Sequence, residues 1–158
     1  MKQITAHDIY GNQYEVLANR LEFRFSVYGL LLKENKILLI KEFGKLGFPG
    51  GGVHLDEKLE EALKREIFEE TGYRIESKKL LTVDDSYFKL PGSGKFVHSI
   101  FLFYKCEILS GQLTDKFFTN GEKKTSQKAN WYELDKINES EFNPDYLEIL
   151  RTIIHDQN

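Results

Sequence analysis

A glycine-rich break that runs straight into an acidic helix constrains this chain more than any other feature. Residues 47–73 read GFPGGGVHLDEKLEEALKREIFEETGY. The first part holds too much Gly and Pro for a regular element. The second is predicted to be helical from about Asp56 to Thr71, with Asp56 as N-cap and Gly72 as the left-handed residue that ends it. With residues about 100° apart around the axis, Leu59, Ala62, Leu63 and Ile67 form one core-facing stripe. Lys58, Glu60, Glu61, Lys64 and Arg65 fall on the other sides. Glu66 and Glu70 break the pattern: they share the sector of Leu59 and Leu63, one turn apart, and Glu69 lies at its edge.

That placement is unfavourable in hydrocarbon. Like charges three and four residues apart repel, and a buried unpaired carboxylate costs several kcal/mol or takes up a proton. Basic partners such as Arg65 offset part of this. So does a hard divalent cation, which takes oxygen ligands and favours clustered carboxylates. The acidic face alone fits a solvated helix as well as a metal site. The glycines Gly50 to Gly52 taken alone read as a plain turn, although they also let ligand atoms approach the backbone closely. A nucleoside-triphosphate P-loop is excluded, because Val53 and His54 stand where Lys and Ser/Thr belong after Gly47 and Gly52.

The rest of the chain supplies the frame. From Glu22 to Tyr28 the residues alternate, Phe23, Phe25 and Val27 to one side and Glu22, Arg24, Ser26 and Tyr28 to the other, as in a half-buried strand. GLLL continues it, KENK turns, and ILLI (37–40) returns as a buried strand. KLLTVDDSYFKL (79–90) and FVHSIFLFYKCEIL (96–109) are strands around the turn PGSGK. The polar stretch 110–130 is read as loop, and WYEL (131–134) as a short strand. Asn143 and Pro144 open a last helix as N-cap and first helical residue, with Tyr146, Leu147, Leu150, Ile153 and Ile154 in one stripe. Strands and helices together give an α+β chain.

The spacing around the helix is specific. Gly51 is followed after five residues by Glu57, after seven more by Arg65-Glu66-Ile67, and then by Glu69-Glu70 and Gly72-Tyr73. This resembles the Nudix box, with every fixed position matched and Tyr73 where a bulky aliphatic is more usual. The resemblance covers 23 of 158 residues, and the ILLI and WYEL strands fit the family's flanks. It implies the Nudix fold, an α/β/α sandwich with a mixed β-sheet between helices, and one domain over residues 1–158.

The resemblance also implies a reaction: water attacks a phosphorus in a nucleoside diphosphate linked to another group, with Mg²⁺ or Mn²⁺ as cofactor. Glu66, Glu69 and Glu70 become metal ligands, with the main-chain carbonyl of Gly50 as a further one. Glu66 or Glu69 is a candidate base, and Arg65 pairs with Glu57 to hold the loop to the helix. Divalent ions neutralise the crowded charge of a pyrophosphate and lower the pKa of bound water, and a base must reach that water. In many relatives the base comes from a loop outside the box. Glu122 is the first candidate here and Asp115 the second, although a solvated loop residue is the simpler reading of Glu122; the acidic residues often found before the Trp strand are replaced by TSQKAN.

Arg24 and Lys41 are candidates for the substrate phosphates, or solvated strand charges. His98 reads as a hydrogen-bonded core residue or a substrate contact, and Tyr87, Phe88 and Trp131 as core or as base-stacking rings. Pro91 lies eighteen residues past the box, near the spacing linked with ADP-ribose hydrolases but not at it. The substrate class therefore stays open among (d)NTP, nucleotide sugar and ADP-ribose. A nucleotide-sensing module on the same fold is the alternative, though such modules usually lose box glutamates. An isoprenoid-diphosphate isomerase needs a cysteine in an extra N-terminal region, and Cys106 is far downstream. The net charge of -3 offers no basic field for nucleic acid or anionic membrane. The N-terminus lacks a signal-peptide core and no apolar stretch is long enough to span a bilayer, so a cytoplasmic protein is expected, and a homodimer is a family expectation only.

Overall fold

The computed structural model describes residues 1–157. In chain order it runs β1 (Gln3–His7), β2 (Gln13–Leu17), β3 (Glu22–Lys33), β4 (Lys36–Glu42), β5 (Lys45–Gly47), β6 (Gly50–Gly52), α1 (Leu59–Thr71), β7 (Tyr73–Lys89), β8 (Phe96–Gly111), α2 (Glu122–Thr125), β9 (Ser126–Glu133) and α3 (Leu147–Gln157). The strands form a mixed sheet in the order β2-β1-β7-β8-β3-β4-β5, with β6 added to β3 and β9 to β4. β3 lies parallel to β8, from Glu22 beside Val97 to Leu31 beside Cys106. β8 is antiparallel to β7, and β4 is antiparallel to β9.

Strand pleating sends alternate side chains to opposite faces, and a helix covers each face. Val27 and Leu31 of β3, with Leu38 and Ile40 of β4, pack under Ala62, Leu63 and Ile67 of α1. Leu30, Ile37, Leu39, Phe101 and Phe103 point the other way and meet Tyr146, Leu150 and Ile153. This is the α+β sandwich with a mixed sheet between helices. Gly72 closes α1 at φ +80°, its N–H donating to the Phe68 carbonyl. Asn143 caps the last helical segment as predicted, its Oδ1 accepting from the Asp145 N–H; the first turn, Pro144–Tyr146, is a 3-10 turn that leads into α3.

The structure departs from the sequence reading in several places. α1 begins at Leu59, not near Asp56, which lies in the turn before it. Lys58 stands at the N-cap, and Glu61 reaches back to accept from its N–H at 2.7 Å, so the acidic first turn does the capping. Leu59 is 38% exposed and leaves the buried stripe, since it falls in the first turn. The glycines form β6 after all, paired with Ser26 to Tyr28 of β3, because without side chains their backbone fits against that strand. The loop read over 110–130 shrinks: β9 starts at Ser126, where only Ala129 is buried on a polar edge strand. Phe23 and Phe25 are 71% and 49% exposed, for they share the face of Val27 beyond the cover of α1. The N-terminal hairpin β1–β2 carried no signal in the reading.

Candidate active site

The box closes on itself through Arg65. Its guanidinium donates to both Glu57 oxygens at 2.5 and 2.9 Å, to Glu66 Oε1 at 2.8 Å, to Glu69 Oε2 at 3.4 Å and to the Gly52 carbonyl at 3.1 Å. Glu57 in turn accepts from the His54 N–H at 2.9 Å. One planar fork thus ties the glycine strand, the turn before α1 and two helix carboxylates together, which the single charge of a lysine cannot do. Its hydrogen bonds hold Glu57 down to about 2 and keep Arg65 more firmly protonated than usual.

Glu66 and Glu70 are buried, at 8% and 4% exposure, in the sector the periodicity gave them. Gly51 makes room: a Cβ there would stand 2.8 Å from the Glu66 carboxyl carbon. The Gly50 N–H donates to Glu70 Oε2 at 2.8 Å. Burial pushes the Glu70 carboxyl well above the usual range, and the Glu66 charge adds to it. Burial also raises Glu66, against the pull of Arg65 and with Glu69 and Glu122 adding.

Glu122 arrives from outside the box. Residues 112–121 are pinned to the end of α1: Phe117 stacks on Phe68 at 4.5 Å between ring centres, and the Thr114 N–H donates to the Thr71 carbonyl. Thr119 and Glu122 then bond reciprocally, Thr119 N–H to Glu122 Oε2 at 2.6 Å and Glu122 N–H to Thr119 Oγ1 at 3.4 Å, a capping-box pattern legible as T-x-x-E. Glu66, Glu69 and Glu122 each bring an oxygen to within 4.8 Å of the others. These are hard oxygen donors with more negative charge than Arg65 offsets, and Glu70 sits desolvated behind them. The donor set fits a divalent ion such as Mg²⁺ or Mn²⁺.

A cavity of about 510 Å³ opens beside the cluster, lined on its near side by Arg24, Glu42 and Glu122, in the size range of small-molecule sites. Arg24 lies close over the glycine strand, where a Cβ on Gly52 would stand 2.7 Å from its Nη2. Phe88 and Pro91 also line the cavity. Other candidates lie elsewhere. Lys41 is 3.9 Å from Glu141 and outside the cavity wall. Asp115 is exposed in the loop and is not one of the three clustered carboxylates. His98 is on the opposite sheet face, bonded to Asp85 at 2.6 Å and stacked on Phe23. Trp131 packs beside the α1 core. Phe43, Glu42 and Asp145 line the cavity and were not found from sequence; only the Phe43-Gly44 pair between two strand-like runs carried a signal, that of a two-residue hairpin.

Comparison with known proteins agrees with this geometry. The NUDIX domain family model matches residues 22–153. An ADP-ribose pyrophosphatase of Methanocaldococcus jannaschii is 32% identical over 126 residues, 70% of this chain and 72% of that protein. An RNA pyrophosphohydrolase of Hamiltonella defensa is 40% identical over 63 residues, 37% of this chain and 39% of that protein. The fold is shared with a MutT NUDIX hydrolase from Burkholderia pseudomallei at TM-score 0.67 and 24% identity, covering 84% of this chain and 98% of that one. Among the described residues no helix is long and apolar enough to cross a membrane. A complete box, folded so that its glycines and arginine gather the carboxylates, within a family match that runs from β3 into α3, makes this chain a member of the Nudix family of pyrophosphohydrolases.

Proposed function

We propose that residues 1–158 act as one catalytic domain that uses Mg²⁺ or Mn²⁺ to hydrolyse the pyrophosphate bond of a nucleoside diphosphate sugar, of which ADP-ribose is the nearest example. The observation that carries the reaction is the convergence of Glu66, Glu69 and Glu122 within 4.8 Å, next to a cavity of about 510 Å³. The substrate class draws on the name of the Methanocaldococcus relative.

Glu66, Glu69 and Glu122 would hold the ion, with Glu70 and the main chain of Gly50 behind them. Bound there, a divalent ion neutralises the pyrophosphate and lowers the pKa of water. Arg65 keeps Glu66 and Glu69 in place, so that their orientation is set before substrate arrives. Arg24 meets the substrate phosphates from the cavity wall. A carboxylate of the cluster, Glu122 first and Glu66 or Glu69 next, takes the proton of the attacking water.

The test is a substrate panel of ADP-ribose, nucleotide sugars, dNTPs and 5′-triphosphate RNA, each with and without Mg²⁺ or Mn²⁺. Products are identified after reaction in ¹⁸O-water to mark the phosphorus attacked. Metal-dependent release of a nucleoside monophosphate from ADP-ribose or a nucleotide sugar is the expected result. Turnover confined to dNTPs or to RNA would overturn the substrate class. Metal binding without turnover of any member would favour the nucleotide-sensing alternative.

A further inference from the structure

The sheet face that carries α1 is covered at one end only. Along β3 the exposure falls from 71% at Phe23 to 49% at Phe25 and 0% at Val27, so the cover of the helix begins beyond Phe25. Strand register extends the bare end across the sheet. His98 and Ile100 of β8 lie beside Phe23 and Phe25, and Tyr87 and Asp85 of β7 lie beside His98 and Ile100. Val83, the next residue of β7 on this face, is also exposed. The rings form a continuous row: Tyr87 is 4.8 Å from His98 between ring centres, His98 is 5.1 Å from Phe23, and Phe23 is 6.4 Å from Phe25. Single exposed apolar residues need no explanation, but a contiguous patch of this kind marks an interaction site. Its strands each have a neighbour on both sides. The backbone beneath the rings is therefore fixed, and docking costs little in ordering.

Charge and area point to the partner. The ionisable groups at the centre of the patch, His98 and Asp85, are bonded to each other at 2.6 Å, so covering the face strands no lone charge. A flat, apolar face with its charges paired is complementary to itself, as a two-fold contact requires. A row of rings also suits stacked bases, but a nucleic-acid strand needs cations along its phosphates. Here Lys95 already lies 4.0 Å from Glu22, and the chain carries a net charge of -3. Phe23 and Phe25 alone offer roughly 240 Å² per copy. With Val83, Ile100 and Tyr87, two copies would bury on the order of 1,000 Å², the low end of specific interfaces.

We propose that this bare end of the sheet docks on the same face of a second copy, giving a two-fold dimer that buries Phe23 and Phe25 of both protomers. The dimer is a weak one, dissociating in the micromolar range. It is independent of the pyrophosphohydrolase reading. Arg24 and Ser99, one residue along from Phe23 and His98, line the cavity on the other face, so both cavities stay open.

Sedimentation velocity over about a hundredfold range of concentration around the micromolar tests this without any substrate. The mass is expected to rise from one chain of 18.5 kDa towards two. Phe23→Glu sets two carboxylates against each other across the two-fold and is expected to weaken the dimer about thirtyfold or more. The residue is exposed in the single chain, so the melting temperature of the dilute variant is expected to stay within about 4 °C. Leu109→Ser removes an apolar group of similar exposure at the far end of β8 and is expected to leave the dimer intact. Should Phe23→Glu fail to fold, hydroxyl-radical footprinting of the unaltered protein decides instead: Phe23, Phe25 and Tyr87 are expected to become protected as concentration rises. A single chain at every concentration overturns the dimer. A dimer that Phe23→Glu leaves intact, or one that forms without protecting these rings, places the contact elsewhere and overturns this face. A protein that stays monomeric and binds a labelled oligouridylate through Phe23 would make the row a base-stacking platform and overturn the dimer as well.

Discussion

α1 and α3 cover opposite faces of one sheet, yet they follow different rules. α3 and the turn before it bury Tyr146, Leu150 and Ile153 against Leu39, Phe103 and their neighbours, as an amphipathic helix should. α1 buries Ala62, Leu63 and Ile67 in the same way, and then buries Glu66 and Glu70 beside them. Nothing about packing asks for those two carboxylates. Local rules are broken where function imposes its own demand, so α3 reads as the face that holds the fold and α1 as the face that carries the proposed chemistry.

The largest expected effect breaks or confirms that division at its centre. Glu70→Gln keeps the shape and can still accept from the Gly50 N–H. Activity is expected to fall by roughly 10²–10³-fold, while the melting temperature holds or rises because a buried like charge is gone. Steady-state rates and a thermal melt on one preparation decide it; a Glu70→Gln protein that works normally and melts early would make Glu70 structural. Leu150→Ala is the mirror experiment on α3. It should cost about 3 kcal/mol, or roughly 6–12 °C in melting temperature, with full turnover per folded molecule. A loss of turnover well below its melting point would show that α3 also shapes the site.

Arg65 sharpens the comparison, because it belongs to both roles. Arg65→Lys keeps a positive charge and loses the fork. About 2 kcal/mol of stability and about tenfold in activity are expected to go together, since the same bonds tie down the Gly52 carbonyl and orient Glu66 and Glu69. Chemical denaturation beside steady-state kinetics reads both. A stability loss with intact activity would mean that the carboxylates orient themselves.

The two helices also differ in how far the sequence revealed them. α3 was legible from its stripe, and its cap from Asn143-Pro144. The α1 face was legible because a period of 3.6 leaves a charged residue in an apolar sector with nowhere to hide. The elements that escaped lack such contrast. Gly50 to Gly52 form a strand through close approach to β3, for which glycine has no propensity to announce. β9 runs from Ser126 to Glu133 with one buried residue, Ala129. Glu122 was legible as a carboxylate in the right loop, but the staple that seats it, Phe117 on Phe68, joins residues far apart in the chain. The polar row from Arg24 through Ser99 to Ser86, which bonds Asp145, exists only once β3, β8 and β7 are in register.

The smallest effect concerns the seam where the α3 side meets the N-terminal hairpin. His7 on β1 is raised above its ordinary value chiefly by its hydrogen bond to Asp145, with burial opposing and the Asp145 and Asp8 charges adding. A histidine raised in the folded state binds its proton more tightly there than when unfolded, so acid favours the folded form. This contribution is fully present below the unfolded value near 6.5 and is lost as pH rises through the folded one. Amide exchange in β1 is therefore expected to be slower at pH 6 than at pH 8.5, after correction for the intrinsic pH dependence of exchange. His7→Gln should remove most of that difference. A protection ratio in β1 that is the same in both proteins would mean that the hairpin is held by Ile4, Ala6 and Val16 alone. Asp145 would then owe its position to Ser86 and Asn143 rather than to His7, and the α3 side would hold its end of the cavity without help from β1.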